Sequence, residues 1–418
     1  MLDFGGVLLG FQVAFSPVNL LWCFIGSVLG TAVGVLPGLG PAATIALLLP
    51  VSMKMGSPVT AIILMAGIFY GAMYGGSTTS ILLNLPGEAA SVVTCIDGYQ
   101  MARKGRAGPA LGVAAIGSFI AGTFGVVGMT VMAPPLAEFA LKFGPPEYFS
   151  LTVLGLLLAT YLAGESPLKG LTMAVMGLIL GSVGLDPLSG AVRFDFGVPD
   201  LQSNIDFVTI AMGLFGVGEI LINLEQSEAA SILTTKIKNV FPTLADLARS
   251  GWAMVRGALI GFVVGILPGG GAVLSSLISY AIEKKVSKHP EEFGHGAIEG
   301  VAGPEAANNS AASSSFIPLL TLGIPGNAST AMIFAALLIH GITPGPFLLK
   351  EHAPVFWGVI ASMYIGNVML LILNLPLVGM WAQLLRVPYA FMAPLVMILT
   401  LVGVYSVNNS VFDIWVML

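Results

Sequence analysis

Small hydroxyl and amide side chains gather beside Pro-Gly pairs in this otherwise apolar sequence. In the first half the cluster contains Ser77, Thr78, Thr79, Ser80 and Asn84, and the pair Pro86-Gly87 follows it. In the second half it contains Asn308, Asn309, Ser310, Ser313, Ser314, Ser315 and Thr321, and the pair Pro325-Gly326 precedes Asn327. Neutral oxygen ligands of this kind coordinate sodium in membrane transporters. Such residues also hold packed membrane helices together, but we interpret the two clusters together as a binding site.

Two further Pro-Gly breaks lie inside long uncharged runs of the sequence. The first break contains Pro37, Gly38 and Gly40, and the second contains Pro268, Gly269 and Gly270. Proline lacks a backbone N–H and glycine adopts almost any φ/ψ, so a helix does not pass through such a stretch intact. Because an unsatisfied backbone group is costly in hydrocarbon, we expect each break to be buried in protein or to face a watery cavity.

A helix that starts at such a break offers an anion-binding end inside the membrane. Its first N–H groups have no partner in the helix, and its dipole places about half a positive charge there. A carboxylate is the ligand that this end favours. No Lys or Arg stands near either break within the uncharged runs. We therefore expect the helix N-termini and hydroxyl groups to bind a carboxylate, or the polar motifs to bind the ion alone.

Ionisable residues near the breaks are few. Glu305 lies at the edge of a long uncharged run and is a candidate proton or cation ligand, because acids within membrane segments are usually functional. A helix cap after Pro304 is the alternative, and Glu88 has the same two interpretations. His340 stands alone, which favours a packing or interfacial role over a proton shuttle. The sequence has neither a P-loop nor a nucleophile elbow, so we expect neither ATP hydrolysis nor an enzyme.

The composition says which elements must position these residues. The chain has 418 residues, of which 56% are hydrophobic and 9% are charged, and its mean hydropathy is +0.94. Soluble domains carry about 25% charged residues, so we predict an all-α polytopic membrane protein. We expect about 10–12 membrane segments, some of them re-entrant. One span is predicted over residues 107–133, ending before Pro134-Pro135, and residues 97–106 are predicted to form a polar loop.

The breaks recur in fixed order, which predicts an internal duplication. Pro37 matches Pro268, and Pro86-Gly87 matches Pro325-Gly326 about 240 residues later. We predict a first membrane repeat over residues 1–224, a polar connector over 225–256 and a second repeat over 257–418. The second repeat is shorter than the first, so we expect the natural C-terminus to extend further.

The basic residues predict that the two repeats have opposite orientations in the membrane. In the first half the basic cluster lies within 103–106, after the second break, whereas in the second half it lies within 284–288, after the first break. Basic stretches also flank both sides of the broken segment between 256 and 284. Either that segment is a re-entrant hairpin, or one basic group lies on the outer side.

Four motifs of this sequence resemble those of the large membrane subunit of the tripartite tricarboxylate transporter family. They are Gly34-Val-Leu-Pro-Gly38, Tyr74-Gly-Gly-Ser-Thr-Thr-Ser80 with Asn84-Leu-Pro-Gly87, Asp97-Gly-Tyr-Gln-Met-Ala-Arg-Lys-Gly105 and Pro304-Glu-Ala-Ala-Asn-Asn309. The resemblance implies a permease of the bacterial inner membrane that works with a periplasmic solute-binding protein and a small membrane subunit. It also implies ion-driven uptake of di- or tricarboxylates such as citrate, without ATP. Family members are longer at the C-terminus.

Together these features predict two inverted repeats with a substrate and ion site near the membrane midplane, between the broken helices. The expected function is secondary, cation-coupled uptake of a carboxylate, with sodium or a proton as the coupling ion and no other cofactor or nucleic acid. A passive channel and a scaffold subunit that only docks a partner are the alternatives. A scaffold has no need to expose backbone at the midplane, whereas duplication alone does not distinguish a transporter from a channel.

Overall fold

The computed structural model describes residues 3–36, 40–162, 166–186, 189–225, 239–269, 271–385 and 389–418. Pro37, Gly38 and Gly270, which we predicted to form parts of the breaks, lie outside these residues. Helices dominate the described ranges, and the two short strands β1 (Gly184–Leu185) and β2 (Val192–Arg193) pair in antiparallel fashion. The predicted all-α class is confirmed.

The first part of the chain contains ten helices within the described ranges, and two of them flank a π-helical turn at Met212–Val217. They are α1 (Phe4–Ala14), α2 (Pro17–Val35), α3 (Pro41–Met53), α4 (Pro58–Leu83), α5 (Val92–Arg103), α6 (Ala107–Ala140), α7 (Pro145–Leu162), α8 (Pro167–Gly181), α9 (Phe207–Ala211) and α10 (Gly218–Glu225).

The second part adds ten more described helices, and several of them are separated only by a break of a few residues. They are α11 (Leu244–Ile266), α12 (Gly271–Val286), α13 (Glu299–Ser314), α14 (Phe316–Leu322), α15 (Ala328–Ile339), α16 (Leu348–Glu351), α17 (Ala353–Asn374), α18 (Val378–Leu384), α19 (Tyr389–Asn408) and α20 (Val411–Met417). Single 3-10 turns cover Ala89–Ser91, Pro199–Ser203 and Pro290–Glu292.

Five of the described helices, α2, α4, α6, α11 and α17, are long and apolar enough to cross a membrane. Several shorter apolar helices, including α3 and α15, have 10–17 residues each. Helix α4 lies at the centre, because nearly all of its residues are buried by its neighbours. A central helix that is apolar on all sides is expected where other helices, rather than lipid, surround it.

Glycines bring α2 and α4 into backbone contact. The close pairs are Gly26 with Leu64, Gly30 with Ile68 and Gly34 with Ala72. A Cβ atom on Gly30 would lie 2.5 Å from the carbonyl oxygen of Ile68, so only glycine fits there. Small residues at four-residue spacing allow this approach between membrane helices.

The same contact recurs between α11 and α13 in the second half. The close pairs are Gly257 with Gly303, Gly261 with Ala307 and Gly265 with Ala311. The three α11 glycines lie as many residues after the three α2 glycines as Pro268 lies after Pro37. Their partners on α13 lie as many residues after the partners on α4 as Pro325 lies after Pro86. A duplication predicts this match between two pairs of helices.

Helices α4 and α13, which hold corresponding places in the two halves, run antiparallel where they meet. Phe69 in the middle of α4 packs against Phe316 just beyond the end of α13, with ring centroids 6.0 Å apart. Ser77, closer to the end of α4, donates a hydrogen bond to Glu305 in the first half of α13, at 2.6 Å. The two contacts therefore run in opposite order along the two helices.

Helices α11 and α12 of the broken segment pack against each other as a hairpin. Arg256 on α11 donates to both carboxylate oxygens of Glu283 on α12, at 2.8 and 2.5 Å. Arg249 pairs with Glu299 at the start of α13, and Arg106 pairs with Asp246. The basic residues of both halves therefore meet at one end of the protein, which we call the basic end.

Two element boundaries differ from the sequence-based predictions. Helix α6 passes through Pro134-Pro135 and ends at Ala140, and Pro134 is buried. Neighbouring helices in a bundle satisfy the backbone groups that a proline frees. Residues 97–103 belong to helix α5 rather than to a polar loop. Residues 244–256, the last part of the predicted connector, belong to helix α11.

Candidate functional site

All four breaks meet around one cavity of about 970 Å³. Its described lining includes Gly40 and Pro41 from the first break, Glu88 to Ala90 from the second, Pro268, Gly269 and Gly271 from the third, and Gly323 to Ser329 from the fourth. Phe69 and Met73 of α4 and Phe215 add apolar wall. The volume falls within the range of about 300–1,000 Å³ that small-molecule sites occupy.

The first break joins α2 to α3. Helix α2 ends at Val35, and α3 begins with Pro41 after Gly40. Proline suits the first helical position because the N–H that it lacks has no acceptor there. Thr79 of α4 donates its hydroxyl to the Val35 carbonyl, one of the last carbonyls of α2. The start of α3 lines the cavity.

The second break joins α4 to α5. Asn84 ends α4 in the left-handed region, at φ 58°, and is exposed. Gly87 packs against the Gly34 carbonyl so closely that no Cβ atom fits. Glu88 then caps the turn Ala89–Ser91 that leads into α5, because its Oε2 accepts from the Ala90 N–H at 2.6 Å. An acidic side chain thus occupies the N-terminus that faces the cavity.

The third and fourth breaks touch each other. Gly269, at φ 79°, donates its N–H to the Gly326 carbonyl at 3.0 Å, and α12 begins two residues later. Gly323 ends α14 at φ 71°. Asn327 caps α15, since its Oδ1 accepts from the Thr330 N–H at 3.0 Å. Pro268 and Pro325 both line the cavity.

The caps of the second and fourth breaks correspond to one another. Glu88 with Ser91 and Asn327 with Thr330 each form a reciprocal capping box, at equivalent positions of the predicted repeats. The first cap is an acid and the second is an amide. Among the described lining residues, the cavity therefore has a carboxyl group on one side only.

Buried polar contacts join the two halves behind the second break. Glu305 is fully buried, and its carboxylate accepts from the hydroxyls of Ser77 and Thr94. Asn308 donates its Nδ2 to Glu88 Oε1 at 3.2 Å. Its Oδ1 is buried without a hydrogen-bond donor among the described residues. We call Ser77, Glu88, Thr94, Glu305 and Asn308 the acidic cluster.

Several other predicted residues lie outside the cavity lining. Asn309 donates to Ser118 on α6 at 2.7 Å, and Ser313 donates to the Gly122 carbonyl at 3.4 Å. Ser314 bonds its own helix at Ala311, and Thr78 is buried within α4. Asn84 and Pro86 are exposed at the second break and do not line the cavity.

Sequence reasoning missed Thr94 and Asp97. Both lie on α5, in a stretch without a cluster of acidic or amide residues to mark it as a site. The one signal available was spacing, because a helix places Thr94 one to two turns after Glu88. Asp97 is buried, and its Oδ1 accepts from the backbone N–H groups of Gly294, Gly296 and Ala297. Its Oδ2 accepts from the Tyr280 hydroxyl at 2.9 Å. Only the tertiary fold shows that these partners exist.

The charged groups of the basic end lie away from the cavity. Glu292, in the turn before α13, accepts from Arg249, and this hydrogen bond lowers the pKa of the Glu292 carboxyl. None of the described lining residues of the cavity is Lys or Arg. Among the described lining residues, the helix N-termini are therefore the groups that can attract an anion.

Comparison with known proteins gives one family. The sequence model described as the tripartite tricarboxylate transporter TctA family matches residues 20–418. An "uncharacterized 52.8 kDa protein in TAR-I ttuC' 3'region" of Agrobacterium vitis is 55% identical over 407 residues, which cover 97% of this chain and 81% of the relative. An "uncharacterized protein in TAR-II ttuC' 3'region" of the same organism is 56% identical over 155 residues, 37% of this chain and 64% of the relative. No solved structure matches the chain.

Proposed function

Because the chain belongs to the tripartite tricarboxylate transporter TctA family, we propose that it takes up citrate-like di- or tricarboxylates by using a cation gradient. It is a multi-pass membrane protein and the permease component of such a transporter. The proposal places it in the bacterial inner membrane, where a periplasmic solute-binding protein delivers the substrate and a small membrane subunit assists. The convergence of the breaks on one cavity carries this proposal.

The electrostatics of the cavity support an anionic substrate. Helices α3, α12 and α15 begin at its wall, and each has twelve or more residues. Their free N–H groups and dipoles attract a carboxylate without a lysine or arginine. A substrate with two or three carboxylates can contact several of these N-termini at once. A monocarboxylate of the same size leaves at least one of them unused.

The packing of the two halves supports alternating access. The corresponding helices α4 and α13 run antiparallel, as expected of inverted repeats. The first and second halves share the cavity wall, since α3 lies beside α15 and α12 lies beside the turn that begins α5. Rocking of one repeat against the other would open the cavity first to one side of the membrane and then to the other.

Two alternatives make different predictions for transport. A passive channel moves the carboxylate only until its concentrations are equal, whatever ion gradient is imposed. A scaffold subunit moves none. The breaks that converge on one cavity favour a transporter over a scaffold, because a scaffold has no need for exposed backbone inside a membrane, where it is costly.

Uptake into proteoliposomes tests the proposal. The protein is reconstituted with its small subunit, and labelled citrate is supplied on the loaded binding protein under a sodium or a proton gradient. We expect accumulation above the external concentration, and we expect Asn327→Ala to reduce it at least about tenfold because the cap of α15 is lost at the cavity wall. Asn84→Gly is the matched control, since Asn84 is exposed and glycine keeps its left-handed φ.

The outcomes separate the candidate functions. Concentrative uptake that depends on one gradient and falls only in Asn327→Ala supports the cavity as the substrate site. Simple equilibration indicates a channel. Concentrative uptake that neither variant changes contradicts the placement of the site at the fourth break.

A further inference from the structure

The acidic cluster is buried in the core, and substrate binding at the helix N-termini gives it no role. Glu88 is 8% exposed, Glu305 is 0% exposed and Asn308 is 1% exposed. Asn308 contacts Glu88 and lies one helical turn after Glu305 on α13, which brings the two acids to the same part of the core. Neither forms an ion pair with a Lys, Arg or His in the described part of the chain. Two ionised carboxylates in one buried site need a positive partner, and without one they become protonated.

Asn308 provides a second, independent observation. Its Nδ2 donates to Glu88 Oε1, whereas its Oδ1 is buried and has no donor among the described residues. A buried carbonyl oxygen without a partner costs stability. Asn308 is three residues after Glu305 on α13, so these two side chains lie on one face of that helix, and the Asn308 amide contacts Glu88 from there.

A metal cation satisfies this arrangement better than a proton does. A protonated Glu88 carboxyl would need a hydrogen-bond acceptor. The Asn308 amide would have to rotate so that its oxygen faced this carboxyl, and Asn308 Nδ2 would then lose Glu88 as its acceptor. A small cation attracts both carboxylates and the amide oxygen at once. The hydroxyls of Ser77 and Thr94 already contact Glu305 and add hard oxygen ligands of the type that suits such ions.

We propose that Glu88, Glu305 and Asn308 bind one sodium ion, whose charge neutralises the acidic side of the cavity and thereby allows a carboxylate to bind at the helix N-termini. This inference rests on the proposed carboxylate function. Glu88 lines the cavity and also contacts Asn308, so it connects the cation site with the substrate site. An unneutralised Glu88 repels a carboxylate in the cavity, and by linkage each ligand raises the affinity for the other.

Thermal unfolding of the purified full chain in detergent tests the cation site without transport. The melting temperature is measured at fixed pH while sodium chloride replaces choline chloride at constant ionic strength. We expect sodium to raise the melting temperature of the wild type in a saturable way. The shift should disappear in Glu305→Gln and Asn308→Leu, which keep side-chain size but remove a charge or an oxygen ligand.

Asn309→Leu is the matched control for Asn308→Leu. Asn309 is the next residue of α13 and is equally buried, but its amide donates to Ser118 on α6. We expect its baseline melting temperature to fall and its sodium-dependent shift to remain. A wild-type shift that is absent, equal with choline, or present in Glu305→Gln overturns the proposal. A shift produced by lower pH in place of sodium indicates a proton site and also overturns it.

Citrate binding to the same preparations tests the link to the substrate. Wild-type citrate affinity should rise with sodium, whereas Glu88→Gln should bind citrate without sodium because its cavity wall carries no charge. Sodium-dependent citrate binding that is unchanged in Glu88→Gln overturns the link. A sodium shift without any carboxylate binding overturns the proposed substrate class and leaves the cation site standing.

Discussion

At the scale of single residues, buried acids have different roles according to what surrounds them. Asp97 accepts four hydrogen bonds, Glu283 pairs with both nitrogens of one arginine fork, and Glu305 accepts from two hydroxyls. The first two are satisfied by backbone donors or by a full positive charge, and they stabilise contacts near the basic end. Glu305 has neither, which is why we assign ion binding to it.

Replacement of Asp97 tests its structural role. Asp97→Ala leaves three backbone N–H groups without an acceptor and detaches the segment before α13 from α5. We expect the free energy of unfolding to fall by about 2–5 kcal/mol. Tyr280→Phe removes only one of the four bonds and should cost about 1 kcal/mol. The measurement is the unfolding midpoint in detergent, and similar losses in the two variants would contradict this assignment.

At the scale of elements, the glycine-mediated helix pairs hold the breaks in place. Gly34 and Gly265 are the last glycines of α2 and α11, and each lies within five residues of a break. Close approach of α2 to α4 and of α11 to α13 holds these helices beside the breaks that line the cavity. The packing of these helices therefore fixes where each half-helix begins.

Two alanine substitutions in α11 test this role of the glycines. Gly261→Ala places a methyl group against the Ala307 carbonyl oxygen, whereas Gly251→Ala on the same helix meets nothing within 4 Å. We expect Gly261→Ala to reduce stability by about 1–3 kcal/mol through overpacking. Gly251→Ala should be neutral or stabilising by up to about 1 kcal/mol, because alanine has the higher helix propensity. Thermal unfolding and citrate affinity are the readouts, and equal stability of the two variants would count against the close contact.

At the scale of the whole molecule, the ion pairs of the basic end unite segments from both halves. The end of α5, the starts of α11 and α13 and the end of α12 lie together there. Because Lys and Arg favour the cytoplasmic side, we predict that the basic end faces the cytoplasm. The start of α4 lies at the opposite end, since α4 runs antiparallel to α13.

Cysteine accessibility tests this topology. In a background without Cys23 and Cys95, single cysteines at Arg103, Ser287 and Gly56 are labelled with a membrane-impermeant maleimide. We expect Arg103→Cys and Ser287→Cys to react only after the membrane is opened, and Gly56→Cys to react in intact cells. Labelling of the first two from opposite sides would contradict the hairpin α11–α12. Retained citrate uptake in each variant is the control for correct insertion.

The sequence by itself determined the membrane class, the positions of the breaks and the order of the predicted repeats. These features are local, since apolar runs form helices in lipid and Pro-Gly pairs interrupt them wherever they occur. The sequence also contains the matching glycines of α2 and α11, because their offset equals that between Pro37 and Pro268.

Only the tertiary structure decided which polar residues meet. Ser77 and Glu305 are separated by 228 residues, and Asn308 and Glu88 by 220, so no local pattern relates them. The same polar residue types, such as Asn308 and Asn309, lie side by side on α13 and yet face different helices. The direction of a side chain around a helix, and the neighbour that it meets there, follow from packing of the whole chain.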